Sequence, residues 1–304
     1  MSAPGRRRMR FVGVSTGESS IIRVFPPWSR LLGLDADLVG LDIPVDAPRA
    51  AYRAAAAELR DDPVCAGALV TTHKIALYEA CHDLFEGFDD FARACGEVSS
   101  VTVRGGRLWG AAKDPVTAGL SLEEFLPPGR FADGAEVLCL GAGGAGTAIG
   151  WYLARRAEAP RAMHFVDTVP GRLDRLRRVV GAQADRTDVR THPADAAALT
   201  ALLAGLPRGS LVVNATGLGK DRPGSPLPPG AVLPAEAVVW ELNYRGRLDF
   251  LRQAQAQQGA RGLTVVDGWR YFIHGWSQVI AEVFGAAVTP EVVDELAAAA
   301  GAVR

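Results

Sequence analysis

Val137-Leu-Cys-Leu-Gly-Ala-Gly-Gly-Ala-Gly-Thr147 is the stretch that decides the fold of this chain. Its first four residues are apolar and predict a buried strand, which is followed by helical spacing of apolar residues and a second strand at Met163–Asp167. Gly141, Gly143 and Gly146 fit the pattern G-x-G-x-x-G between strand and helix. In such a unit the first glycine allows a tight turn, the second lets the backbone approach a pyrophosphate, and the third lets helix and strand pack closely. The stretch therefore predicts a dinucleotide-binding fold, with the phosphates at the helix N-terminus.

The composition of the chain favours a small-molecule partner. Its 304 residues suffice for two domains, and its formal net charge is -1 at pH 7, with no long charge run after residue 10. This balance predicts neither nucleic-acid binding nor an acidic interaction tail. No apolar run reaches the roughly 18 residues that cross a membrane, and Met1–Arg10 lacks the apolar core of a secretory signal. We therefore expect a cytoplasmic protein without membrane attachment, whose first ten residues form a short, basic, disordered tail.

The cysteines and histidines predict neither disulfides nor a metal site. The cysteines lack C-x-x-C spacing, and they are Cys65, Cys81, Cys95 and Cys139. Four buried, reduced thiols are the expected result. The histidines other than His73 have no metal-ligand spacing to one another, and they are His82, His164, His192 and His274. We expect no bound metal.

Lysine is rare in this chain, which makes its positions informative. Of the 33 basic residues only Lys74, Lys113 and Lys220 are lysines, so the remaining 30 are arginines. A lysine can lose its proton near neutral pH, whereas an arginine cannot. The three lysines are therefore candidates for proton transfer, with Lys74 the leading one. The alternative is that they are ordinary surface lysines.

Strands and helices alternate along the chain, which indicates α/β architecture. In the N-terminal part, strands are predicted at Arg10–Val14, Asp37–Ile43 and Gly67–Thr71, with helices between them and a hairpin in residues 98–110. This alternation predicts a parallel sheet with functional groups on loops at the carboxyl ends of its strands. Further strands at Leu211–Asn214, Val238–Leu242 and Leu263–Val266 continue the sheet of the glycine loop.

Two α/β domains are expected from this pattern. Residues 1–115 form an N-terminal substrate-binding and catalytic domain, completed by C-terminal helices in residues 270–304. Residues 116–269 form a Rossmann-type dinucleotide-binding domain.

Eight segments of the chain resemble, in the same order, the motifs of the shikimate/quinate dehydrogenase family. They are Ser19 in the first turn, Val70-Thr-Thr-His-Lys74, Gly96-Glu-Val-Ser-Ser100, Lys113-Asp114, the glycine loop, Asn214-Ala-Thr-Gly-Leu-Gly219, Tyr244-Arg-Gly246, and Asp267-Gly268 to His274. The resemblance spans nearly the whole chain. It implies an active site in a cleft between the two domains, and an enzyme of aromatic amino acid or quinate metabolism.

The resemblance implies that Lys74 and Asp114 are the catalytic pair. Oxidation of a secondary alcohol by hydride transfer needs a group that takes the hydroxyl proton, and reduction needs the same group to return it. Lys74 suits this role, with Asp114 orienting it and an adjacent substrate hydroxyl. The alternative is a salt bridge that only closes the cleft. His73 is a second candidate base, although its place beside Lys74 favours a pocket wall or a loop support.

Asp167, at the end of the second strand of the nucleotide domain, is informative about the cofactor. A carboxylate there accepts hydrogen bonds from the adenosine ribose and repels a 2′-phosphate, which favours NAD. Many NADP-using relatives carry Asn-Arg-Thr at this turn, but Arg172 lies close enough to pair with a phosphate, so NADP stays open. The expected cofactor contacts are Gly141, Gly143, Gly144, Ala145, Gly146, Asp167, Thr168, Arg172, Thr216, Gly217 and Gly268.

Departures from the family pattern concern the substrate. In an alignment without gaps, Ile21 stands at a family serine, Ser99 at an asparagine, Lys113 at a threonine and Gly275 at a glutamine. A site built to hydrogen-bond its substrate rejects analogues strongly, so these changes alter which alcohol fits. Lys113 and Arg23 are candidates to replace the lost contacts to a carboxylate.

We therefore expect an NAD(P)-dependent dehydrogenase acting on a shikimate-like cyclic polyol. The expected substrate contacts are Ser19, Thr71, Ser99 and Tyr244. Two alternatives remain, namely a reductase of another cyclitol-like ketone or enone in a specialised pathway, and a non-catalytic sensor that binds a ring acid together with the dinucleotide. The sequence leaves a homodimer open.

Overall fold

The computed structural model describes residues 6–220 and 222–302 of the chain. The chain forms two units, of which the first consists of Met1–Lys113 and Ile273–Arg304 and the second of Asp114–Phe272. Among the described residues, no helix is long and apolar enough to cross a membrane. All four cysteines are buried and free, and burial raises the pKa of the Cys81 thiol to about 11.

The first unit is built on a six-stranded sheet. Its strands β1 to β6 are Arg7–Gly13, Ala36–Asp42, Cys65–Val70, Phe85–Phe88, Ser100–Arg104 and Arg107–Ala111, and the helices α1 to α4 are Ile21–Leu31, Arg49–Asp61, Lys74–Cys81 and Asp90–Cys95. The strand order is β2-β1-β3-β5-β6-β4. Apolar side chains of β1, β3, α2 and α3 pack together as the core, among them Val12, Leu59, Val70 and Leu77.

The expectation of a parallel sheet was wrong for one strand of this sheet, β5, whereas β4 and β6 again pair in parallel. β1 pairs in parallel with β2 and β3, but β5 is antiparallel to both β3 and β6. The reversal follows from the predicted hairpin, because β5 and β6 are joined by Gly105 and Gly106, which both have positive φ. β4 was not predicted, since the four residues Phe85–Phe88 are too few to show a strand period.

The expected N-terminal tail is also corrected in part. Residues 7–10 belong to β1 and pair with β2 in the register Arg7 to Ala36 through Arg10 to Val39. The strand was not predicted here because a run of basic residues lacks the alternation of apolar and polar residues by which a strand is recognised in a sequence. Residues 1–5 lie outside the described residues.

The second unit is a parallel sheet with helices around it. Its helices α5 to α10 are Asp114–Phe125, Gly144–Ala154, Pro170–Gly181, Ala196–Gly205, Asp249–Gln255 and Gln258–Arg261, and its strands β7 to β12 are Val137–Leu140, Ala162–Asp167, Asp188–Pro193, Leu211–Asn214, Val238–Glu241 and Thr264–Val266. The strand order β12-β11-β10-β7-β8-β9 with all pairs parallel is the order of a doubly wound Rossmann sheet. The order reverses between β7 and β10, where such sheets bind ligands at the carboxyl ends of the strands.

Two helices follow β12, namely α11, Trp269–Phe284, and α12, Pro290–Gly301. The sequence predicts C-terminal helices in residues 270–304, where α12 lies, and the start of α12 carries signals of a helix N-terminus. Thr289 caps it by accepting from the Val292 amide at 3.4 Å, and Pro290 occupies the first turn. In the first unit, the indole of Trp28 on α1 donates to the carbonyl of Leu296 at 2.7 Å, which ties α12 to α1.

Candidate active site

The glycine loop lies after β7, at the switch point of the Rossmann sheet. Gly141 has φ of +110°, and a Cβ there would come within 2.8 Å of the backbone of Ala215 in the loop after β10. A Cβ at Gly146 would overlap the carbonyl oxygen of Gly141. At Gly143, by contrast, a Cβ would meet no heavy atom of the described residues within 4 Å. The turn and the helix packing thus exclude side chains at the first and third glycines, while the middle glycine faces open space.

This loop fits the pyrophosphate of a dinucleotide. Helix α6 begins at Gly144, directly after Gly143, and the described residues supply no side-chain cap at its start. The first backbone N–H groups of a helix have no partner within the helix and attract anions. Gly143, Gly144, Ala145 and Gly146 therefore form the amino end of a helix, a feature that can hold a phosphate.

Asp167, the last residue of β8, is hydrogen-bonded to the backbone of the glycine loop. One carboxylate oxygen accepts from the Ala142 amide at 2.8 Å and the other from the Val169 amide at 2.9 Å. The Arg172 guanidinium lies 3.9 Å from the same carboxylate. An ionised carboxylate has about four acceptor positions, so Asp167 has acceptor positions beyond these two hydrogen bonds, and its side chain is 7% exposed. Thr168 follows it at the start of the exposed turn.

The loop Asn214–Gly219, which follows β10, is fixed by a buried amide and carboxylate network. The Asn214 side-chain oxygen accepts from the Thr216 amide at 3.0 Å and from the Thr216 hydroxyl at 2.6 Å. The Thr216 hydroxyl in turn accepts from the Leu218 amide at 3.2 Å. Thr216 and the exposed Gly217 thus lie in a turn that its own side chains hold in shape.

Glu241, at the end of β11, lies beneath this loop and was not singled out by the sequence. Its carboxylate accepts from the Asn214 side-chain amide at 2.8 Å and from the Asn243 backbone and side-chain amides at 2.8 and 2.7 Å. Asn243 also donates to the carbonyl oxygens of Thr216 and Leu218 at 3.2 and 3.1 Å. Burial raises the pKa of Glu241 to about 7, against the opposing effect of these hydrogen bonds.

Tyr244 follows β11 and Gly268 follows β12, so both lie at the carboxyl ends of neighbouring strands. A Cβ at Gly268 would overlap the carbonyl oxygen of Leu242, so the entry into α11 needs glycine for backbone packing. The ring of Tyr244 packs on Phe272 with centroids 4.5 Å apart and on Trp269 at 5.8 Å. The Lys220 ammonium lies 6.0 Å from the same ring. Tyr244 is therefore anchored in an aromatic cluster, with part of its surface exposed.

In the first unit, the segments that carry Ser19, Thr71, Lys74 and Ser99 meet at one edge of the sheet. A Cβ at Gly13, which ends β1, would lie 3.0 Å from the methyl groups of both Thr16 and Thr71. The Lys74 carbonyl accepts from the Val98 amide at 3.1 Å, and the Val70 amide donates to the Ser99 carbonyl at 2.9 Å. Lys74 is the first residue of α3 and is partly exposed.

His73 is a loop support in this arrangement. It is buried, its Nε2 lies 2.7 Å from the carbonyl oxygen of Ile43, and its Nδ1 lies 3.2 Å from the Tyr52 hydroxyl. A carbonyl only accepts, so Nε2 carries the proton and Nδ1 accepts from Tyr52. Both ring nitrogens are engaged, which favours the interpretation of His73 as a support over that of a general base.

Ser99 and Lys113 are linked through the backbone. The buried Ser99 hydroxyl accepts from the Lys113 amide at 2.8 Å, which leaves the proton of that hydroxyl to donate. The Lys113 ammonium forms an ion pair of 2.8 Å with Glu282 on α11, inside the first unit. A substrate carboxylate would therefore have to compete with Glu282 for the Lys113 ammonium, and the sequence pattern did not indicate this ion pair.

Two further positions complete the set. Ile21, in the first turn of α1, is fully buried in the core, so it belongs to the packing of the unit. Ser19 precedes it, is partly exposed, and donates its amide to the Thr16 carbonyl at 3.1 Å. Asp114 opens α5 in the second unit and is 9% exposed.

The fold and the loop geometry define a class. A Rossmann sheet with a glycine loop at its switch point, together with a second α/β unit that carries a lysine at its strand ends, is the organisation of a two-domain oxidoreductase that uses a nicotinamide dinucleotide.

Comparisons with known proteins give the family. No protein-family model matches the chain. The chain is 30% identical over 253 residues to a shikimate dehydrogenase (NADP(+)) of Brucella abortus (strain S19), a match that spans 81% of this chain and 78% of the relative. Its fold is shared with shikimate 5-dehydrogenase of Thermus thermophilus in complex with NADP(H) and shikimate, with a TM-score of 0.72, 25% identity and coverage of 97% and 99% of the two chains. Quinate dehydrogenase of Corynebacterium glutamicum in complex with NAD also shares it, with a TM-score of 0.75, 20% identity and coverage of 97% and 98%.

The chain belongs to the shikimate dehydrogenase family. It is an NAD(P)-dependent oxidoreductase of the group that acts on CH–OH bonds.

Proposed function

We propose that the protein transfers hydride between NAD(P) and a ring carbon of a shikimate-like cyclic polyol. The dinucleotide, when bound, accepts or supplies the hydride. Lys74 takes the proton of the reacting hydroxyl in the oxidative direction and returns it in the reductive direction. Asp114 orients Lys74 and a neighbouring hydroxyl of the substrate. Ser19, Thr71, Ser99 and Tyr244 contact the rest of the ring.

The observation that carries this proposal is the placement of Lys74. It opens a helix directly after β3, and its carbonyl is tied to the segment of Ser99 by the Val98 amide. The side chain is thus attached to a backbone that follows β3 and is hydrogen-bonded to the segment before β5. General acid–base catalysis needs such fixed geometry, because the proton is transferred over hydrogen-bond distance.

We propose NAD as the preferred cofactor. Asp167 is the support of the glycine loop and also the last residue of β8, where Rossmann folds contact the adenosine ribose. Its charge opposes a 2′-phosphate, and Arg172 offsets that charge only in part at 3.9 Å. The curated relative in Brucella is named for NADP(+), so the ratio of kcat/KM for NAD and NADP is the measurement that decides.

The experiment is an initial-rate assay with shikimate and with quinate, each with NAD and with NADP. Lys74→Met serves as the blank, and Lys74→Arg keeps the positive charge but cannot give up its proton. Loss of turnover by a factor of about 10² or more in both variants, with NADH binding intact, supports proton transfer by Lys74. Activity retained in Lys74→Arg would mean that the charge alone matters and would refute the role as acid and base.

A second candidate function is reduction of a ring ketone that lacks a carboxylate. The Lys113–Glu282 pair favours it, since the ammonium that stands at a family threonine is already neutralised within the first unit. The same assay, run in the reductive direction with NADH and neutral cyclic ketones, distinguishes the two. Tight binding of NADH and of a ring acid without turnover on any of these substrates would instead favour a sensor.

A further inference from the structure

Glu241 is a buried charged group that the proposed chemistry does not use. It is 0% exposed, and it stands in β11 directly beside Asn214 of β10, because the two residues are partners in the parallel register. A buried carboxylate is costly unless hydrogen bonds compensate it. A role that offsets this cost is therefore expected for a carboxylate at the end of β11.

Both carboxylate oxygens of Glu241 accept hydrogen bonds. Three N–H groups converge on the two carboxylate oxygens, namely the Asn214 side-chain amide and the backbone and side-chain amides of Asn243. A glutamine side chain would place an NH₂ donor against one of these donors and would leave that donor without an acceptor. The carboxylate of Glu241 accepts all three.

The partners of Glu241 reach the loop Asn214–Gly219 from two sides. Asn214 turns its oxygen to the amide and hydroxyl of Thr216, so that its NH₂ group is directed to Glu241. Asn243 holds the carbonyl oxygens of Thr216 and Leu218 with the NH₂ group that also donates to Glu241. The carboxylate thereby sets the orientation of both amides and, through them, the shape of the loop.

We propose that Glu241 is a positioning residue that fixes the loop Asn214–Gly219 for the nicotinamide half of the cofactor. The inference rests on the proposed function, since it takes this loop to contact the nicotinamide. The proposed function puts the adenosine half beside Asp167 at the end of β8, so a dinucleotide that crosses the switch point has its nicotinamide half at the loop after β10. Removal of the carboxylate is therefore expected to weaken binding of the nicotinamide half and to leave binding of the adenosine half unchanged.

The test is Glu241→Gln, with binding of NADH and of ADP-ribose measured by titration calorimetry. ADP-ribose carries the adenosine and pyrophosphate but no nicotinamide. We expect NADH to bind roughly tenfold more weakly, the loss of about one hydrogen bond, while the affinity for ADP-ribose changes by less than about twofold. Equal weakening of both ligands, or unchanged binding of both, would overturn the inference.

An exchange of partners provides a rescue. In the double variant Asn214→Asp with Glu241→Gln, the new glutamine amide donates to the new aspartate, which still accepts from Thr216. The glutamine oxygen still accepts from Asn243, so every group named above keeps a partner. We expect the double variant to recover most of the NADH affinity that Glu241→Gln loses. Additive losses would show that the pairing with Asn214 does not position the loop.

Glu136→Gln is the matched control. Glu136 is also buried in the second unit, but it precedes β7 at the opposite edge of the sheet, where it pairs with Arg161 and His164. We expect a lower Tm and unchanged binding of both ligands. If Glu241→Gln does not fold, Asn243→Ala takes its place, since it removes two loop hydrogen bonds and leaves the carboxylate, and the same selective loss is expected.

The outcomes for the inference and for the proposed function are separable. A wild-type protein that binds NADH but turns over no cyclic substrate fails the proposed function, while the selective loss in Glu241→Gln still supports the role of Glu241. A wild-type protein that turns over substrate while Glu241→Gln binds NADH normally keeps its function and overturns the inference.

Discussion

The ammonium of Lys113 lies 2.8 Å from the carboxylate of Glu282, and Arg104 lies 3.4 Å from the same carboxylate. Glu282 thus neutralises a cation at a position where the family pattern has a threonine. The pair is partly exposed, and such pairs contribute at most about 1 kcal/mol. The ion pair matters instead for substrate binding, because it decides whether the positive charge of Lys113 is available to a substrate carboxylate.

Glu282→Gln is predicted to favour substrates with a carboxylate. It frees the Lys113 ammonium, so KM for shikimate is expected to fall by up to about fivefold, which corresponds to about 1 kcal/mol. The methyl ester of shikimate is the neutral comparison and should show no change. Steady-state rates with both compounds measure the difference.

Arg104→Gln is the control for this prediction, because it removes a neighbouring charge but leaves the Lys113–Glu282 pair. It is expected to leave KM within about twofold, as for an exposed ion pair. A similar fall of KM for the acid and its ester in Glu282→Gln would contradict the charge argument.

Alanine substitutions in the glycine loop are predicted to separate folding from cofactor binding. Gly146→Ala places a Cβ against the Gly141 carbonyl, so it should lower the free energy of unfolding by several kcal/mol or prevent folding. Gly143→Ala meets open space, so it should fold with little change in Tm and bind NADH at least tenfold more weakly where the pyrophosphate approaches. Thermal melts and NADH titrations measure both.

Gly171→Ala, at another open position near the start of α7, is the control for these variants. It should leave NADH affinity unchanged and should raise Tm slightly, because alanine favours a helix over glycine. Full NADH affinity in Gly143→Ala would refute the assignment of the pyrophosphate to this loop.

The second unit is predicted to lose stability in weak acid because of His192. Its Nε2 lies 3.1 Å from Nδ1 of the buried His164, and the pKa of His192 is lowered from its ordinary value by burial and then by the neighbouring His164 and Arg190. Below about pH 6.5 the unfolded chain therefore binds a proton that the folded chain does not, so stability falls as the pH falls. His192→Gln should reduce this dependence in urea unfolding between pH 7.5 and 5.

His82→Gln is the control for the pH experiment, since His82 is an exposed histidine of the first unit. It should leave the dependence as in the wild type. If His192→Gln retains the full loss of stability between pH 7.5 and 5, another group causes that loss.

Trp28→Phe is predicted to destabilise the first unit. The substitution leaves the buried Leu296 carbonyl without the indole donor that lies 2.7 Å away, and it also removes packed volume. The expected cost is about 2 to 4 kcal/mol, the sum of one lost hydrogen bond and a cavity. Urea unfolding followed by circular dichroism measures it. A cost below about 0.5 kcal/mol would mean that α12 contributes little to the unit.

The sequence predicted the centre of the second unit well and its edges poorly. Leu211–Asn214 and Val137–Leu140 are strands with the predicted bounds, because strands buried on both faces are continuous apolar runs. Asp188–Pro193 was missed, since this edge strand is polar and partly exposed. The residue pattern of Leu248–Gln258 predicts one helix, but the structure has two, Asp249–Gln255 and Gln258–Arg261, which the uninterrupted polar pattern does not separate.

The candidate site could be proposed from the sequence where a motif is local, but not where it depends on pairing across the sheet. The glycine loop and Asp167 belong to one short strand–helix–strand unit, so spacing alone indicated them. Glu241 and Asn214 are 27 positions apart and meet only through the register of two strands. Glu282 meets Lys113 only through the packing of α11 in the first unit. The roles of Lys74 and Asp114 in catalysis remain predictions.

The bond between Trp28 and Leu296 also sets an order of events during synthesis. These residues are 268 positions apart in the chain, whereas all of Asp114–Phe272 is continuous. On the ribosome, the Rossmann unit has its complete sequence available while the helix that covers Trp28 has not yet been translated. In the N-terminal unit, α1 therefore stays without its contact to α12 until α12 has been synthesised. A nascent protein of this kind exposes its first-made part for longest, and chaperones that bind apolar helices have their longest access there.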